Sequence, residues 1–161
     1  MPFWSGFSGG ASHESAAPDA GFEVVFAPEG RDTAPLAADE IKSVEWLQQN
    51  YATQSAPLLD RLLQEYPGLR LEYGYDEEEL EEWMPNVRST EEFKSLISLQ
   101  SVTVHQLSKD GVPYAGYMFD TLWDPEHGLG VLMHGTRVVA FGGADTAILL
   151  WLAEQDANRS A

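Results

Sequence analysis

Two short turn sequences in the C-terminal half of the chain constrain its fold more than any other feature. The pairs Asp110-Gly111 and His134-Gly135 each separate two runs of β-forming residues. Asp-Gly readily adopts the positive φ angles that a two-residue hairpin requires, and the glycine after His134 fits a second tight turn. The pattern predicts hairpins over 101–121 and 129–141. Strands joined by such turns are antiparallel neighbours, which excludes the doubly wound folds built on parallel sheets.

The N-terminal half has the periodicity of amphipathic helices. Apolar residues recur at spacings of three and four, first as Ile41, Val44, Leu47 and Tyr51 and then as Leu58, Leu59, Leu62, Leu63 and Tyr66. Asp39 is in position to cap the first stretch. Because proline fits only the first turn of a helix without cost, Pro57 predicts a break between two helices, the second of which ends at Pro67 and Gly68.

Three shorter signals complete the predicted secondary structure. The β-rich residues 22–26 predict a strand, and Ser89 with Glu92 matches a capping box at the start of a short helix. A last helix is predicted to be capped by Asp145. Its apolar residues Ile148, Leu149 and Leu152 are predicted to form its buried side.

Together these elements predict an α+β fold. We expect a single domain over 22–157, in which a mostly antiparallel sheet of about five strands packs against N-terminal helices and a C-terminal helix. Residues 1–21 are rich in Gly, Ser, Ala and Pro and predict a flexible N-terminal arm, while 158–161 predict a short tail.

The charge of the chain limits its partners. With 26 acidic and nine basic residues it has a formal net charge of −17. A field of this sign repels phosphate backbones and anionic membranes, so we expect neither nucleic acid nor a membrane as a partner. The same field speeds encounter with a basic protein, although acidity can also serve solubility alone. The chain has no cysteine, no secretory signal pattern and no apolar run of membrane-spanning length, which predicts a cytoplasmic protein without thiolate sites.

Much of this charge lies in one acidic segment followed by a tryptophan. The segment consists of Asp76, Glu77, Glu78, Glu79, Glu81 and Glu82, and Trp83 follows it directly. Over residues 71–92, nine acidic residues and one basic residue give a net charge of −8. Such a block is either a solvated loop or helix face, or a surface that meets a partner. We predict a partner-binding surface in which Trp83 supplies the apolar contact.

A second cluster of polar residues lies around the segment that joins the two predicted hairpins. Its members are possible ligands for a divalent ion or possible acid–base groups: Asp120, Asp124, Glu126, His127 and His134. Their spacing matches no familiar metal-site pattern, and Asp124-Pro125 is a good type I turn in its own right. We therefore predict a structural connection with Trp123 buried and with Gly128 or Gly130 in a backbone geometry that disfavours a side chain. No cofactor, metal or catalytic residue is predicted.

The same segment carries a resemblance. The residues Trp123-Asp124-Pro125-Glu126-His127-Gly128-Leu129-Gly130-Val131, with Arg137-Val138-Val139 and Gly142-Gly143-Ala144-Asp145 after them, resemble a bacterial family of uncharacterised domains with the signature W-D-x-E-H-G-L-G. The similarity covers about residues 22–155. Domains of this kind are met in polymorphic toxin systems, where small acidic immunity proteins neutralise a cognate toxin. The resemblance implies a non-enzymatic immunity or inhibitor protein that binds a basic toxin, for example a nuclease domain. The first alternative is a small metal-dependent or acid–base enzyme that uses the five polar residues, and the second is an accessory binding module of unknown ligand.

Overall fold

The computed structural model describes residues 3–9, 23–26 and 35–159. One five-stranded sheet organises the fold, with its strands in sequential order: β1 (Glu23–Phe26), β2 (Ile97–Lys109), β3 (Val112–Thr121), β4 (Leu129–His134) and β5 (Arg137–Gly142). β1 pairs with β2 in parallel, and the other three pairings are antiparallel. In these described residues, three α-helices accompany the sheet: α1 (Ala38–Tyr73), α2 (Glu77–Trp83) and α3 (Leu150–Asn158). The predicted α+β class is confirmed, with one parallel pair in a mostly antiparallel sheet.

Both predicted hairpins form, the first of them at the turn that the sequence predicted. Asp110 and Gly111 link β2 to β3 with φ angles of 55° and 77°, a conformation that strongly favours glycine, asparagine or aspartate. In the second hairpin His134 still pairs with Arg137, so the two-residue loop begins at Gly135, whose φ is 58°. The second turn thus lies one residue later than predicted.

Helix α1 corrects the prediction of two helices. It runs without a break through Pro57 and Pro67, and it ends at Gly74, which has a left-handed φ of 63°. Five residues of the two predicted stripes are buried in a single core: Leu47, Leu58, Leu59, Leu62 and Tyr66. Val44, Tyr51 and Leu63 are partly buried against this core, whereas Ile41 is 45% exposed. A proline inside a helix costs about 3 kcal/mol, whereas each large apolar side chain that is buried contributes about 1.5 to 3 kcal/mol. Packing of one continuous apolar face therefore outweighs two interior prolines.

The start of α1 also differs from the prediction. Ala37 is the flanking residue, and its backbone N–H donates to Glu40 Oε1 at 2.7 Å. Asp39 lies inside the first turn instead of capping the helix. An acidic residue there is still favourable, because the N-terminus of a helix carries partial positive charge.

One face of the sheet, together with α1, forms the main core. Val102, Tyr117, Phe119 and Val131 belong to the same buried cluster as the leucines of α1. A buried polar link crosses this core: Gln54 on α1 accepts a hydrogen bond from the Tyr117 hydroxyl at 2.6 Å and donates to the Gly135 carbonyl at 2.8 Å. Helix and sheet are thereby fixed in one register.

The first described residues join this core as well. A 3₁₀ helix at Phe3–Gly6 buries Trp4, and Phe7 after it is buried too. The backbone N–H of Gly9 donates to the Ile97 carbonyl at 3.1 Å. Residues 3–9 are thus packed, unlike the flexible arm predicted over 1–21, because aromatic burial outweighs the flexibility of their small neighbours. The remainder of the predicted arm, 1–2 and 10–21, and residues 160–161 of the predicted tail lie outside the described residues.

The other face of the sheet is covered by a 3₁₀ helix at Ala144–Ala147 and by α3. A Cβ atom added to Gly116 would lie 1.8 Å from the Ala147 carbonyl oxygen, so backbone packs directly on the sheet there. The same carbonyl accepts a hydrogen bond from Nε2 of buried His105 at 2.8 Å. Burial lowers the pKa of His105, which favours the neutral form of its imidazole.

This close packing corrects the prediction for the last helix. Asp145 lies within the 3₁₀ helix, and α3 begins only at Leu150. Because α3 begins later than predicted, Ile148 precedes it and is half exposed. Ala153 and Asp156 form the buried side of the helix. Asp156 accepts two hydrogen bonds from the Arg137 guanidinium, at 2.9 and 2.6 Å, and one from the Tyr114 hydroxyl at 2.7 Å. The bonds from Arg137, followed by the one from Tyr114, outweigh burial and lower the pKa of Asp156 to about 2.

Candidate functional site

The acidic segment folds as helix α2. Asp76 is its N-cap: Asp76 Oδ1 accepts from the Glu79 backbone N–H at 2.9 Å, and Glu79 Oε2 accepts from the Asp76 N–H at 3.0 Å. This reciprocal capping box satisfies two backbone donors. Glu77, Glu78 and Glu79 lie in the first turn, where the helix dipole favours negative charge. The capping box and the helix dipole explain how so dense a block of like charge can be helical.

The side chains of α2 divide sharply between solvent and core. Asp76 and all five glutamates of the helix are exposed, and Leu80 is the residue that packs against the main core. Trp83 is 38% exposed, whereas its neighbour Met84 is fully buried and occupies the core position. Met84, and not Trp83, is thus the residue that α2 and its end contribute to the fully buried core. An apolar ring stands beside six exposed carboxylates.

Helix α1 holds the chain on both sides of this acidic surface. Gly74 reverses the chain between α1 and α2. After α2, the Arg70 guanidinium donates from Nε to the Met84 carbonyl at 2.8 Å, and the Tyr66 hydroxyl donates to the Pro85 carbonyl at 2.8 Å. The carboxylates of α2 are thus presented from a short helix that is anchored at both ends.

The segment 123–130, which we call the signature loop, joins β3 to β4 and has the buried tryptophan and the constrained glycines that the sequence predicted. Trp123 is 2% exposed, and its carbonyl accepts from the Tyr75 hydroxyl at 2.7 Å. Gly128 has a φ of 62°, and a Cβ atom there would lie 2.5 Å from the Phe119 carbonyl oxygen. A Cβ on Gly130 would lie 2.4 Å from the Gly143 carbonyl oxygen. Both glycines are required by close backbone approach.

Asp124 is the polar centre of the signature loop. Asp124 Oδ2 accepts from the Tyr73 hydroxyl at 2.6 Å, while Oδ1 accepts from the backbone N–H of His127 at 3.1 Å and from its Nδ1 at 3.0 Å. Burial opposes the charge of Asp124, but the hydrogen bonds from Tyr73 and His127 outweigh it and lower the pKa of Asp124. Burial and the bond to Asp124 raise the pKa of Tyr73, so its hydroxyl stays protonated. These groups fasten the end of α1 to the loop.

The five polar residues that were considered as possible ligands or acid–base groups do not lie together at one site. Asp124 and His127 are in contact, while Glu126 points to solvent and Asp120 lies on β3 opposite Ser98. Burial raises the pKa of Asp120. His134 lies at the other end of β4, about 16 Å along the strand from its start. There its Nε2 donates to the Lys109 carbonyl at 3.0 Å. Among residues 3–9, 23–26 and 35–159, no group of three or more His, Asp or Glu residues could hold a metal ion.

A cleft beside the signature loop was not predicted. It has a volume of about 320 Å³ and lies between the end of α1, the loop and the start of β4. Trp123, Leu129, Leu69 and Phe141 give it an apolar lining, and Glu72 and Tyr73 complete its charged and aromatic side. The two tyrosines that flank Gly74, at the end of the second apolar stripe, are the local sequence feature that marks this cleft.

Comparison with models of protein families identifies the family of this chain. The model of the family described as Domain of unknown function (DUF6985) matches residues 12–149. The chain belongs to this family. The expectation of an uncharacterised domain family is thereby confirmed. Searches of curated proteins and of solved structures gave no match.

The DUF6985 match includes every feature of the candidate site. Helix α2, the signature loop and the cleft all lie within residues 12–149, whereas α3 begins just beyond the match. In the part of the chain that the structure describes, no helix is both long enough and apolar enough to cross a membrane.

Proposed function

We propose that this DUF6985 chain is a non-enzymatic immunity or inhibitor protein that binds and neutralises a cognate bacterial toxin with a basic surface. The observation that carries the proposal is the composition of α2: six exposed carboxylates with the half-exposed Trp83 at the end of the helix. A large aromatic ring in water has an apolar surface to bury, and binding energy at interfaces concentrates on such residues.

The charge of the acidic surface favours one class of partner. Complementary charge raises the rate of association and repels partners of the same sign. A nuclease must itself present a basic surface to hold the phosphates of its substrate. An acidic helix that covers such a surface would occupy the place of the polyanion, so a basic nuclease domain is the toxin class that fits best.

The enzyme alternative has weaker support. It needs several of Asp120, Asp124, Glu126, His127 and His134 to converge on one reacting atom. The carboxylate of Asp124 is occupied instead by Tyr73 and His127, which stabilise the loop. In the proposal, α2 recognises the partner and the signature loop stabilises the fold.

Coexpression tests the proposal. A bacterial host is given the product of the gene next to this one, and the chain should restore growth if that product is toxic. The triple variant Glu78→Lys, Glu81→Lys and Glu82→Lys should fail to restore growth. The matched control, Glu45→Lys, Asp60→Lys and Glu154→Lys, changes the net charge equally at exposed positions outside α2 and should protect like the wild type. Equal protection by both variants, or no protection by the wild-type chain, would refute the proposal.

A further inference from the structure

We infer that the cleft beside the signature loop receives an arginine side chain of the toxin; the inference rests on the proposed function and specifies its second contact. The cleft is not an extension of α2, since none of the residues that line it belongs to that helix. It is nevertheless close in the chain, because Tyr73 precedes the N-cap Asp76 by three residues. One partner can therefore contact both.

The apolar lining of the cleft suits the stem of a long basic side chain. The half-buried Leu69 and Phe141 provide its accessible apolar surface, and Trp123 and Leu129, each 2% exposed, lie beneath them. Arginine and lysine bury their methylene groups along such surfaces and keep their charged heads near water. A volume of about 320 Å³ lies at the lower end of the range for small-molecule sites and is suited to one long side chain.

The carboxylate of Glu72 is the negative charge that would pair with the guanidinium group. Its side chain is exposed, and within the described residues its carboxylate has no hydrogen-bond or ion-pair partner. Glu65, about two turns earlier in α1, differs in this respect because it pairs with Arg61 at 2.9 Å. A free carboxylate at the edge of an apolar cleft attracts a cation, and its two oxygens match the planar fork of a guanidinium.

The tyrosine next to Glu72 favours arginine over lysine. The Tyr73 ring stacks on Tyr75 with 5.6 Å between ring centroids, and its hydroxyl is fixed by Asp124. A ring that is held at its hydroxyl and on one face is already ordered before a ligand arrives. Less conformational entropy is therefore lost on binding. Guanidinium groups stack on such rings, whereas an ammonium group is compact and more strongly hydrated.

A second cleft provides an internal comparison. It has a volume of about 210 Å³ and lies between β1, β2 and residues 148–150. Its lining contains no acidic residue, and its one ionisable group, His105, is buried and bonded to the Ala147 carbonyl. Apolar surface is thus present in both clefts, while a free carboxylate is present only in the first.

Titration of the ¹⁵N-labelled chain with N-acetyl-arginine amide, followed by NMR, tests the inference without the toxin. We expect saturable millimolar binding, with shifts concentrated at Gly128, Gly142, Gly143 and the Trp123 indole. N-acetyl-citrulline amide has the same shape without the charge and should produce no saturable shifts. Glu72→Gln should raise the Kd for the arginine probe about fivefold, as expected for loss of an exposed ion pair. Glu45→Gln, an exposed change elsewhere on α1, should leave the Kd unchanged.

Three results would overturn the inference. These are absence of saturable shifts, equal binding of the citrulline probe, and shifts spread over α2 in a pattern shared by N-acetyl-lysine amide. If the cleft fails in this way while the α2 variants still lose protection in the coexpression assay, the proposed function stands without the arginine contact. Arginine binding by a chain that neutralises no toxin would instead overturn the proposed function and, with it, the assignment of the bound side chain.

Discussion

Helix α2 and the signature loop are both conspicuous in the sequence, and the structure uses them in opposite ways. In the loop, the polar groups of Asp124 and the carbonyl of Trp123 are bound by other parts of the chain. In α2, the carboxylates of Glu77, Glu78, Glu81 and Glu82 are exposed, and only the capping pair of Asp76 and Glu79 is engaged within the helix itself. Polar groups that are hydrogen-bonded within the chain stabilise the fold. Exposed carboxylates beside a half-exposed tryptophan remain available to a partner.

The largest effect should come from the buried tryptophan of the loop. Trp123→Ala removes a ring that packs edge-on against Tyr66, with 5.7 Å between centroids, and should lower the free energy of unfolding by about 3 to 5 kcal/mol. Trp151→Ala is the control. Because Trp151 is 51% exposed, its replacement should lower the free energy of unfolding by less than about 0.5 kcal/mol. Chemical denaturation of both variants measures the difference. Equal stability of the two variants would remove the structural role of the loop.

The tryptophan of α2 should behave in the opposite way. Trp83→Ala should leave the free energy of unfolding nearly unchanged and should weaken toxin binding by about 2 kcal/mol, mostly through faster dissociation. The measurement is a dissociation rate by surface plasmon resonance beside a thermal melt. A loss of stability with unchanged dissociation would place Trp83 on the structural side of the comparison.

Replacing Asp124 should lower the free energy of unfolding by a smaller amount that depends on pH. Asp124→Ala leaves the Tyr73 hydroxyl and the His127 N–H without their acceptor and should cost roughly 1 to 2 kcal/mol at pH 7. The carboxyl pKa in the folded chain is lowered below its usual 3.8, so this stability is present above that pH and is lost as pH falls through the lower folded value. The gap between wild type and variant should therefore narrow below about pH 3.8. Glu126→Ala, at the exposed neighbouring position, should show no such gap at any pH.

The sequence predicted those parts of the fold that local chemistry determines. Asp110 and Gly111 formed the predicted turn because their φ angles are set by steric limits of the residues themselves. Gly128 and Trp123 were recognisable because a turn glycine and a large aromatic have few alternative roles. The fold class followed from the hairpins, since they fix the strand order of most of the sheet.

Long-range packing decided the parts that the sequence did not predict. The break at Pro57 is absent because apolar residues on both sides of it are buried in one core. Gln54 could not be recognised as a core residue, since its partners Tyr117 and Gly135 are more than 60 positions away. The cleft near Glu72 likewise requires the end of α1 to meet the signature loop and β5, and no local pattern carries that information.

The most direct test of the proposed role of α2 is the association rate with the neutralised toxin, measured by stopped flow at increasing ionic strength. The triple variant Glu78→Lys, Glu81→Lys and Glu82→Lys should associate about tenfold more slowly than wild type at low salt and should show a flatter salt dependence. The control variant Glu45→Lys, Asp60→Lys and Glu154→Lys carries the same net charge and should stay closer to the wild-type rate. If both variants slow equally, total charge and not α2 governs the encounter. A wild-type rate in the α2 variant would contradict the assignment of recognition to this helix.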